Sequence, residues 1–468
     1  MDRRSFLKSS AAAATLASLS PVAFAAGSAQ RKVALIGSGW YGKVDLLRLI
    51  QVEPVEVVAL ADVDSKMLEQ AAGIVAGRQK SGNTPKTYED YRQLLDDETL
   101  DLVLVDTPDH WHALPMIDAC DRGLDVFVQK PISLDVAEGA AMLQAARRNK
   151  SVVQVGMQRR STPHLVDAKE KVVDAGLLGE VAHAQVCCYY HMRNGSRANP
   201  SEAPGHINWD MYNGPAGPSP YMDWIHPRNW RAFQRYGNGI LGDMCVHMLD
   251  LTRFVLGLGW PSRINSTGGI YVQTEAAADI TDTQSAEFFF PGEVEGSLHF
   301  RGPRMNVVWN HRSWGDAVDP KFPWAAIIYG SKGTLKMDVN KFRFEPRGGG
   351  ETIEGKAVIE HDKYPEDVDE KDLEQHVASA VREHMRNWMR CVDDRSRPVS
   401  DIEEGHISAA SCILANNALA LGRSVTWDPV AGSCVDSGGG QDGEANSLLQ
   451  RPYADGYTHP ASREDGVA

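Results

Sequence analysis

One stretch limits what this chain can fold into more than any other, the run from Lys32 to Asp62. An apolar strand, Val33-Ala34-Leu35-Ile36, enters Gly37-Ser38-Gly39-Trp40-Tyr41-Gly42; a helix follows with Leu46, Leu47, Leu49 and Ile50; a second apolar strand, Val55 to Leu60, ends at Ala61-Asp62. Strand, glycine turn, helix and strand in this register form a βαβ unit. The three glycines have separate duties: Gly37 permits the tight turn, Gly39 lets the backbone approach a pyrophosphate, and Gly42 lets the helix pack on the sheet. The helix start, with Trp40 and Tyr41, offers unpaired N–H groups and the positive end of its dipole to phosphates. An acid about 20 residues past the last glycine reaches the ribose hydroxyls, and Asp62 stands there. Its charge would repel a 2′-phosphate, so the unit suits NAD better than NADP.

The same alternation continues through strands at Leu102 to Val105, Asp125 to Val128 and Val152 to Val155, with helices at Ala113 to Arg122 and Val136 to Asn149. This predicts an α/β domain, a doubly wound parallel sheet of Rossmann type over residues 30–156. From Val181 the texture changes to strand after strand with short turns, such as Phe290-Pro291-Gly292-Glu293. An α+β domain with an open-faced, mainly antiparallel sheet is expected over residues 157–428. It carries a Pro, Trp and Tyr-rich insertion, Ser196 to Asn238, and an apolar helix, Ile240 to Leu256. The Gly, Ser and Asp-rich tail, residues 429–468, reads as weakly structured.

At 468 residues the chain can bury two sizeable cores. Its net charge of −14 argues against nucleic acid and anionic membranes as partners. Residues 1–29 read as an address: Arg3-Arg4-Ser5-Phe6-Leu7-Lys8 is a twin-arginine pattern, followed by an alanine-rich stretch and the small-residue site Ala23-Phe24-Ala25. The apolar part is too short for stable membrane insertion. The expectation is export through the twin-arginine machinery to the periplasm, folded and with its cofactor aboard. Seven cysteines without C-x-x-C spacing signal neither a zinc site nor a disulfide framework, and no metal is expected.

Two sites carry the chemistry. Gln129-Lys130-Pro131 follows a parallel strand, at the edge where such sheets bind ligands. In Gly242-Asp243-Met244-Cys245-Val246-His247, a helix would put Asp243 and His247 on one face at i and i+4 of an otherwise apolar segment. Burying a carboxylate and an imidazole there costs several kcal/mol unless each has a partner.

Gly37 to Gly42, Asp62, Gln129-Lys130-Pro131, Gln154-Val155-Gly156 and Asp243-x-x-x-His247, in this order and spacing, resemble the glucose-fructose oxidoreductase / inositol dehydrogenase / rhizopine-catabolism (Gfo/Idh/MocA) family. The resemblance implies that Lys130 hydrogen-bonds the reacting hydroxyl, that His247 is the general acid/base and that Asp243 orients it or the substrate. It implies that Thr107, Pro108, Asp109 and His112, with Gln129 and Lys130, border the cofactor. The family usually has Glu where Gln129 stands, which would leave Lys130 without a close counter-charge. Trp224, His226, Trp230, Arg231 and Tyr236 in the insertion, with Gln158, Arg159 and Tyr190, are candidates for holding sugar faces and hydroxyls.

The expected protein is a periplasmic oxidoreductase acting on a secondary hydroxyl of a sugar, glycoside or polyol with tightly held NAD. One alternative is an NAD-dependent glycosidase or eliminase that oxidises its substrate transiently; another is a non-catalytic sugar-binding protein. An open sheet face would expose apolar surface, so a homo-oligomer is expected.

Overall fold

Val33, Ala34, Leu35 and Ile36 are all buried and alternate between two cores. Val33 and Leu35 pack among Leu46, Leu49 and Trp388, whereas Ala34 and Ile36 pack among Val103, Leu114 and Met116. A strand covered on both faces tolerates no polar residue, hence the unbroken apolar run. The structure is a computed structural model that describes residues 30–189, 199–369 and 373–463. The expected signal, residues 1–29, and the candidate Tyr190 lie outside the described residues.

The first sheet comprises β1 (Arg31–Ile36), β2 (Val55–Ala61), β3 (Lys86–Tyr88), β4 (Leu102–Val105), β5 (Asp125–Val128) and β6 (Val153–Val155). All neighbours are parallel, in the order β3-β2-β1-β4-β5-β6. The order reverses between β1 and β4, and beyond the carboxyl ends of strands at such a switch point ligands bind. Helices α1 (Trp40–Val52), α2 (Ser65–Arg78), α3 (Tyr91–Asp97), α4 (Ala113–Asp121) and α5 (Val136–Asn149) connect the strands.

After the short helix α6 (Pro163–Ala168), β7 (Val181–Cys188) begins a second sheet. The insertion holds one short helix, α7 (Trp209–Asn213), and leads to α8 (Val246–Leu256). Then follow β8 (Arg263–Gly269), β9 (Thr283–Pro291), β10 (Arg304–Arg312), β11 (Trp324–Gly330), β12 (Gly333–Met337), β13 (Lys341–Pro346) and β14 (Ile353–Lys356). Helices α9 (Ala378–Asp394) and α10 (Ile402–Leu421) precede β15 (Val425–Asp428) and β16 (Ser433–Val435). These ten strands run β14-β13-β12-β11-β7-β10-β9-β8-β15-β16, with only β7 and β10 pairing in parallel. Val186, Phe288, Phe290, Val307, Trp309 and Ile328 form the buried face.

The opposite face carries His183, Gln185, Glu287, Asn306, Asn310 and Arg312, half-buried or exposed. Phe289 and Val308, half-buried, and Tyr329, 41% exposed, lie among them, so this face is mixed rather than the broad apolar surface on which the oligomer expectation rests. The exposed apolar side chains Tyr271, Leu298 and Val318 sit instead in loops between strands.

Two C-terminal pieces depart from the expected plan. Helix α9 packs beside α1 under the first sheet, where His384 Nε2 lies 2.8 Å from the Val155 carbonyl and Gln154 Nε2 donates to the His384 carbonyl at 2.6 Å. Contrary to expectation, the described part of the tail, through Arg463, is built into the fold. It adds β16 and the short helix α11 (Gly443–Asn446), then crosses to the N-terminus of α5. There the Arg451 N–H donates to Asp135 at 2.9 Å, Tyr453 Oη donates to Glu138 at 2.5 Å, and His459 Nε2 lies 3.0 Å from Asp135. Asp135 and Glu138 already form the capping box of α5. Polar composition alone could not reveal a latch whose partners lie some 315 residues earlier.

Candidate functional site

The glycine loop is shaped by contacts that a side chain would block. A Cβ on Gly37, where φ is +95°, would lie 2.6 Å from the Asp106 carbonyl carbon, and one on Gly42 would lie 2.0 Å from the Gly37 oxygen. At Gly39 nothing stands within 4 Å. Gly39 is also the N-cap of α1 and supplies no side-chain cap, so the first N–H groups of this helix remain available to an anion. A diphosphate fits this open cradle. Asp62, at the end of β2, accepts from Ser38 N at 2.7 Å and Asp64 N at 2.9 Å, leaving acceptor capacity on a carboxylate that lines the cleft.

The cleft, about 1080 Å³ with its solvent-open mouth, is walled on one side by Gly37, Gly39, Trp40, Tyr41, Asp62, Thr107 and Pro108. Met211, Tyr212, His226, Arg228, Trp230 and Arg231 from the insertion form the other wall. The insertion is fastened across it. Ser65 N donates to the His206 carbonyl and Asn208 N to the Val63 carbonyl, both at 2.9 Å, and Trp111 Nε1 donates to the Met211 carbonyl at 3.0 Å. The Arg228 guanidinium lies 3.9 Å from the centre of the Trp40 ring.

Beyond Arg231 the candidate catalytic groups converge. Lys130, following β5, donates from Nζ to Asp243 Oδ1 at 2.7 Å and to the Asp243 carbonyl at 2.9 Å. Lys130 therefore has a close counter-charge, and the expectation that it lacks one is corrected. The reason is tertiary: the fold sets the turn after β5 against Asp243, which lies in a π-helical turn, Leu241–Cys245, before α8. In such a turn carbonyls shift away from their usual i+4 donors, and here outside donors reach them: Lys130 at Asp243 and Trp324 Nε1 at the Met244 carbonyl, 3.1 Å. Arg231 Nε lies 3.5 Å from the same Asp243 carboxylate.

His247 is 5% exposed, its Nδ1 has no hydrogen-bond partner among the described residues, and its ring meets Trp324 edge-on at 5.5 Å. Burial, then the charges of Lys130 and Arg159, hold its pKa well below the ordinary histidine value. It is a neutral imidazole at pH 7. Arg159 lies over the Trp324 ring, 5.3 Å from its centre, and Gln158 Nε2 donates to Tyr41 Oη.

Other candidates fall outside the cleft. His112 stands behind the loop, each ring nitrogen 2.7 Å from a backbone carbonyl, Pro131 on one side and Thr107 on the other. Burial lowers its pKa to about 4; it ties the loop to the lysine turn. Gln129 also points inward, its Nε2 donating to Asp45 Oδ2 at 2.5 Å. Burial pushes Asp45 up to about 7, and burial with the Asp45 charge raises Asp106 further above its usual range. A glutamate at 129 would add a third acid to this buried pair. Trp224 packs edge-on against Phe233, and Tyr236 is fully buried with its hydroxyl on Asn213. Trp324, Arg228 and Asp45 were not legible as site residues, since each stands alone in sequence without a motif.

Known proteins share this architecture. The family model "Oxidoreductase family, NAD-binding Rossmann fold" matches residues 31–157, and "Oxidoreductase family, C-terminal alpha/beta domain" matches residues 171–426. An inositol 2-dehydrogenase of Rhizobium meliloti is 26% identical over 65% of this chain and 74% of its own length. A glycosyl hydrolase family 109 protein of Shewanella pealeana is 23% identical over 68% of this chain and 65% of its own. The chain spans only 57% of the rhizopine catabolism protein of Rhizobium meliloti. An Agrobacterium radiobacter oxidoreductase solved with NAD+, L-tartaric acid and magnesium superposes with a TM-score of 0.61 at 15% identity, covering 85% of this chain and 98% of that one.

Proposed function

Because this chain belongs to the Gfo/Idh/MocA family of NAD-binding oxidoreductases, we propose that its reaction is the oxidation or reduction of a secondary hydroxyl on a sugar, glycoside or polyol. The observation that carries this reading is the convergence of Lys130, Asp243 and His247 beside the dinucleotide cleft. Bound NAD supplies the hydride acceptor. Lys130 Nζ, held by Asp243, donates a hydrogen bond to the reacting oxygen and stabilises its developing charge. Neutral His247 accepts the hydroxyl proton, and Asp243 is the neighbour that favours the imidazolium so formed. Arg231, Trp230, Gln158 and Arg159 hold the rest of the substrate.

The same reading includes a tightly held cofactor, export by the twin-arginine route and work in the periplasm. The insertion fastened across the cleft supports slow cofactor release, and NAD carried through export requires such retention. The test is to purify the exported protein with no cofactor added, denature it and identify the released nucleotide. Stoichiometric NAD or NADH supports the reading; an empty protein that binds NAD weakly sinks the retention argument.

The glycosyl hydrolase relatives favour a second reading, in which transient oxidation acidifies the neighbouring C–H and the glycosidic oxygen then leaves by elimination. An aryl glycoside separates the two. Release of phenol without an added acceptor favours cleavage, and accumulation of a keto-glycoside favours the dehydrogenase.

A further inference from the structure

The cleft is lined by more acid than base, yet the diphosphate it must hold is anionic. Four acids, Asp62 and Asp106 among them, stand against three arginines, Arg92, Arg228 and Arg231. A diphosphate at the start of α1 meets backbone N–H groups, but Gly37 to Gly42 contain no cation. Lys43, the next residue, is already engaged, its Nζ donating to the Ser38 carbonyl at 3.0 Å. Any counter-charge therefore has to come from another segment.

Two of the three arginines are committed. Arg92 grips Asp90 with both arms of its fork, Nε to Oδ1 at 2.8 Å and Nη2 to Oδ2 at 2.7 Å, and Arg231 lies 3.5 Å from Asp243. Arg228 makes no ion pair among the described residues; its guanidinium carbon lies 3.9 Å from the centre of the Trp40 ring. Trp40 opens α1 directly after Gly39, where an added Cβ would meet nothing within 4 Å. The indole attracts the charge but takes none of the five N–H groups at the guanidinium edge as a carboxylate would. Those donors remain for a second partner, and a phosphate suits such a fork. The segment that carries Arg228 is fixed on both sides: His226 Nε2 lies 2.8 Å from Asp64 Oδ2, Asn229 Nδ2 donates to the Trp224 carbonyl at 2.8 Å, and Arg231 Nη1 donates to the Arg228 carbonyl at 3.3 Å.

We infer that Arg228 is a cofactor-binding residue, a cation that the insertion sets over the glycine loop to hold the diphosphate of NAD, with Trp40 as the platform that orients it. This rests on the reading that NAD is tightly held and names the contact that holds it. Release of NAD then requires the stack of Arg228 on Trp40 to open, so the insertion is a retaining strap as well as a wall.

The test loads the full chain with NADH, chases it with excess ADP-ribose, which keeps the diphosphate and lacks the nicotinamide, and follows NADH fluorescence at low and high salt. Native release should be slow and should quicken with salt. Arg228→Met keeps an apolar side chain on Trp40 without the charge. It should release NADH about tenfold to about a hundredfold faster, the loss expected of a charge-assisted hydrogen bond, with a flatter salt dependence and an equal rise in the Kd of ADP-ribose. Arg228→Lys, which restores the charge, should recover most of both. Native release in Arg228→Met overturns the inference, as does faster release that keeps the native salt dependence, since Arg228 would then only brace the insertion. A loss confined to NADH and absent for ADP-ribose also overturns it, by placing Arg228 at the nicotinamide end. Fast release from the native chain removes the retention reading instead, and the Kd of ADP-ribose in the two variants still decides the contact.

Discussion

The two ends of the cleft are built on opposite principles. At the dinucleotide end, six consecutive residues, Gly37 to Gly42, set the geometry through what they lack: side chains that would strike Asp106 or the loop's own carbonyl. At the chemical end, Lys130, Asp243, His247 and Arg231 come from three distant segments and are held by partners: a carboxylate, a widened helical turn and an aromatic wall. Local sterics can be written in a short motif. A buried charge cluster depends on every segment that packs around it, because desolvation makes each charge require its neighbours.

This contrast can be broken by mutation. The largest effect is expected at the chemical end. Lys130→Ala should lower kcat by roughly a thousandfold, the loss typical of one transition-state donor in a dry site, while NAD stays bound. Parallel loss of NAD would mean that the lysine belongs to the cofactor cradle instead. His247→Gln should cost about a hundredfold or more in kcat. In the native enzyme, kcat/KM for oxidation should stay level as pH falls through the ordinary histidine range, because the imidazole is held neutral there, and should fall only at more acid pH. A break near pH 6.5, about where an unperturbed histidine titrates, would show that the base is not held neutral by burial in this way.

At the dinucleotide end, Gly42→Ala and Gly39→Ala should part company. The first sets a Cβ 2.0 Å from the Gly37 oxygen and should cost roughly 1–3 kcal/mol of stability as well as NAD affinity. The second meets nothing within 4 Å, at φ −64°. It should leave the melting temperature of cofactor-free protein unchanged and weaken NAD by about tenfold, or about 1.4 kcal/mol. Equal loss of stability in both variants would undo the division of labour.

The smallest effect is expected at the tail latch. Tyr453→Phe removes one hydrogen bond from buried Glu138 and should cost about 1 kcal/mol in denaturant unfolding. Burial and Asp135 raise Glu138 to about 7 from its ordinary 4.5, so the folded chain favours the protonated acid. The stability this group contributes is full below pH 4.5 and is lost as pH rises through about 7. Glu138→Gln should flatten that slope, and a slope unchanged by the substitution would mean that other acids set it.

The glycine loop, Asp62, Lys130 and the pair of Asp243 and His247 stood out as candidates because each sits in a short run with its own geometry. Gln129 was legible as a departure, but its meaning was not. Read alone it stripped Lys130 of a counter-charge, whereas in the fold it faces Asp45 and Asp106 while Asp243 serves the lysine. The tail was misread for a related reason: polar residues look the same whether they meet water or a buried capping box.

What the sequence by itself determined is the periodic and the contiguous: the parallel sheet, the second sheet, the glycine cradle and the strand end that carries Lys130. Tertiary structure alone decided which acid neutralises that lysine, that the helix before His247 opens into a π-turn, and that α9 and the tail close around the first domain. Periodicity and glycine act between neighbours along the chain. Counter-charges and desolvation act between segments that only folding brings together.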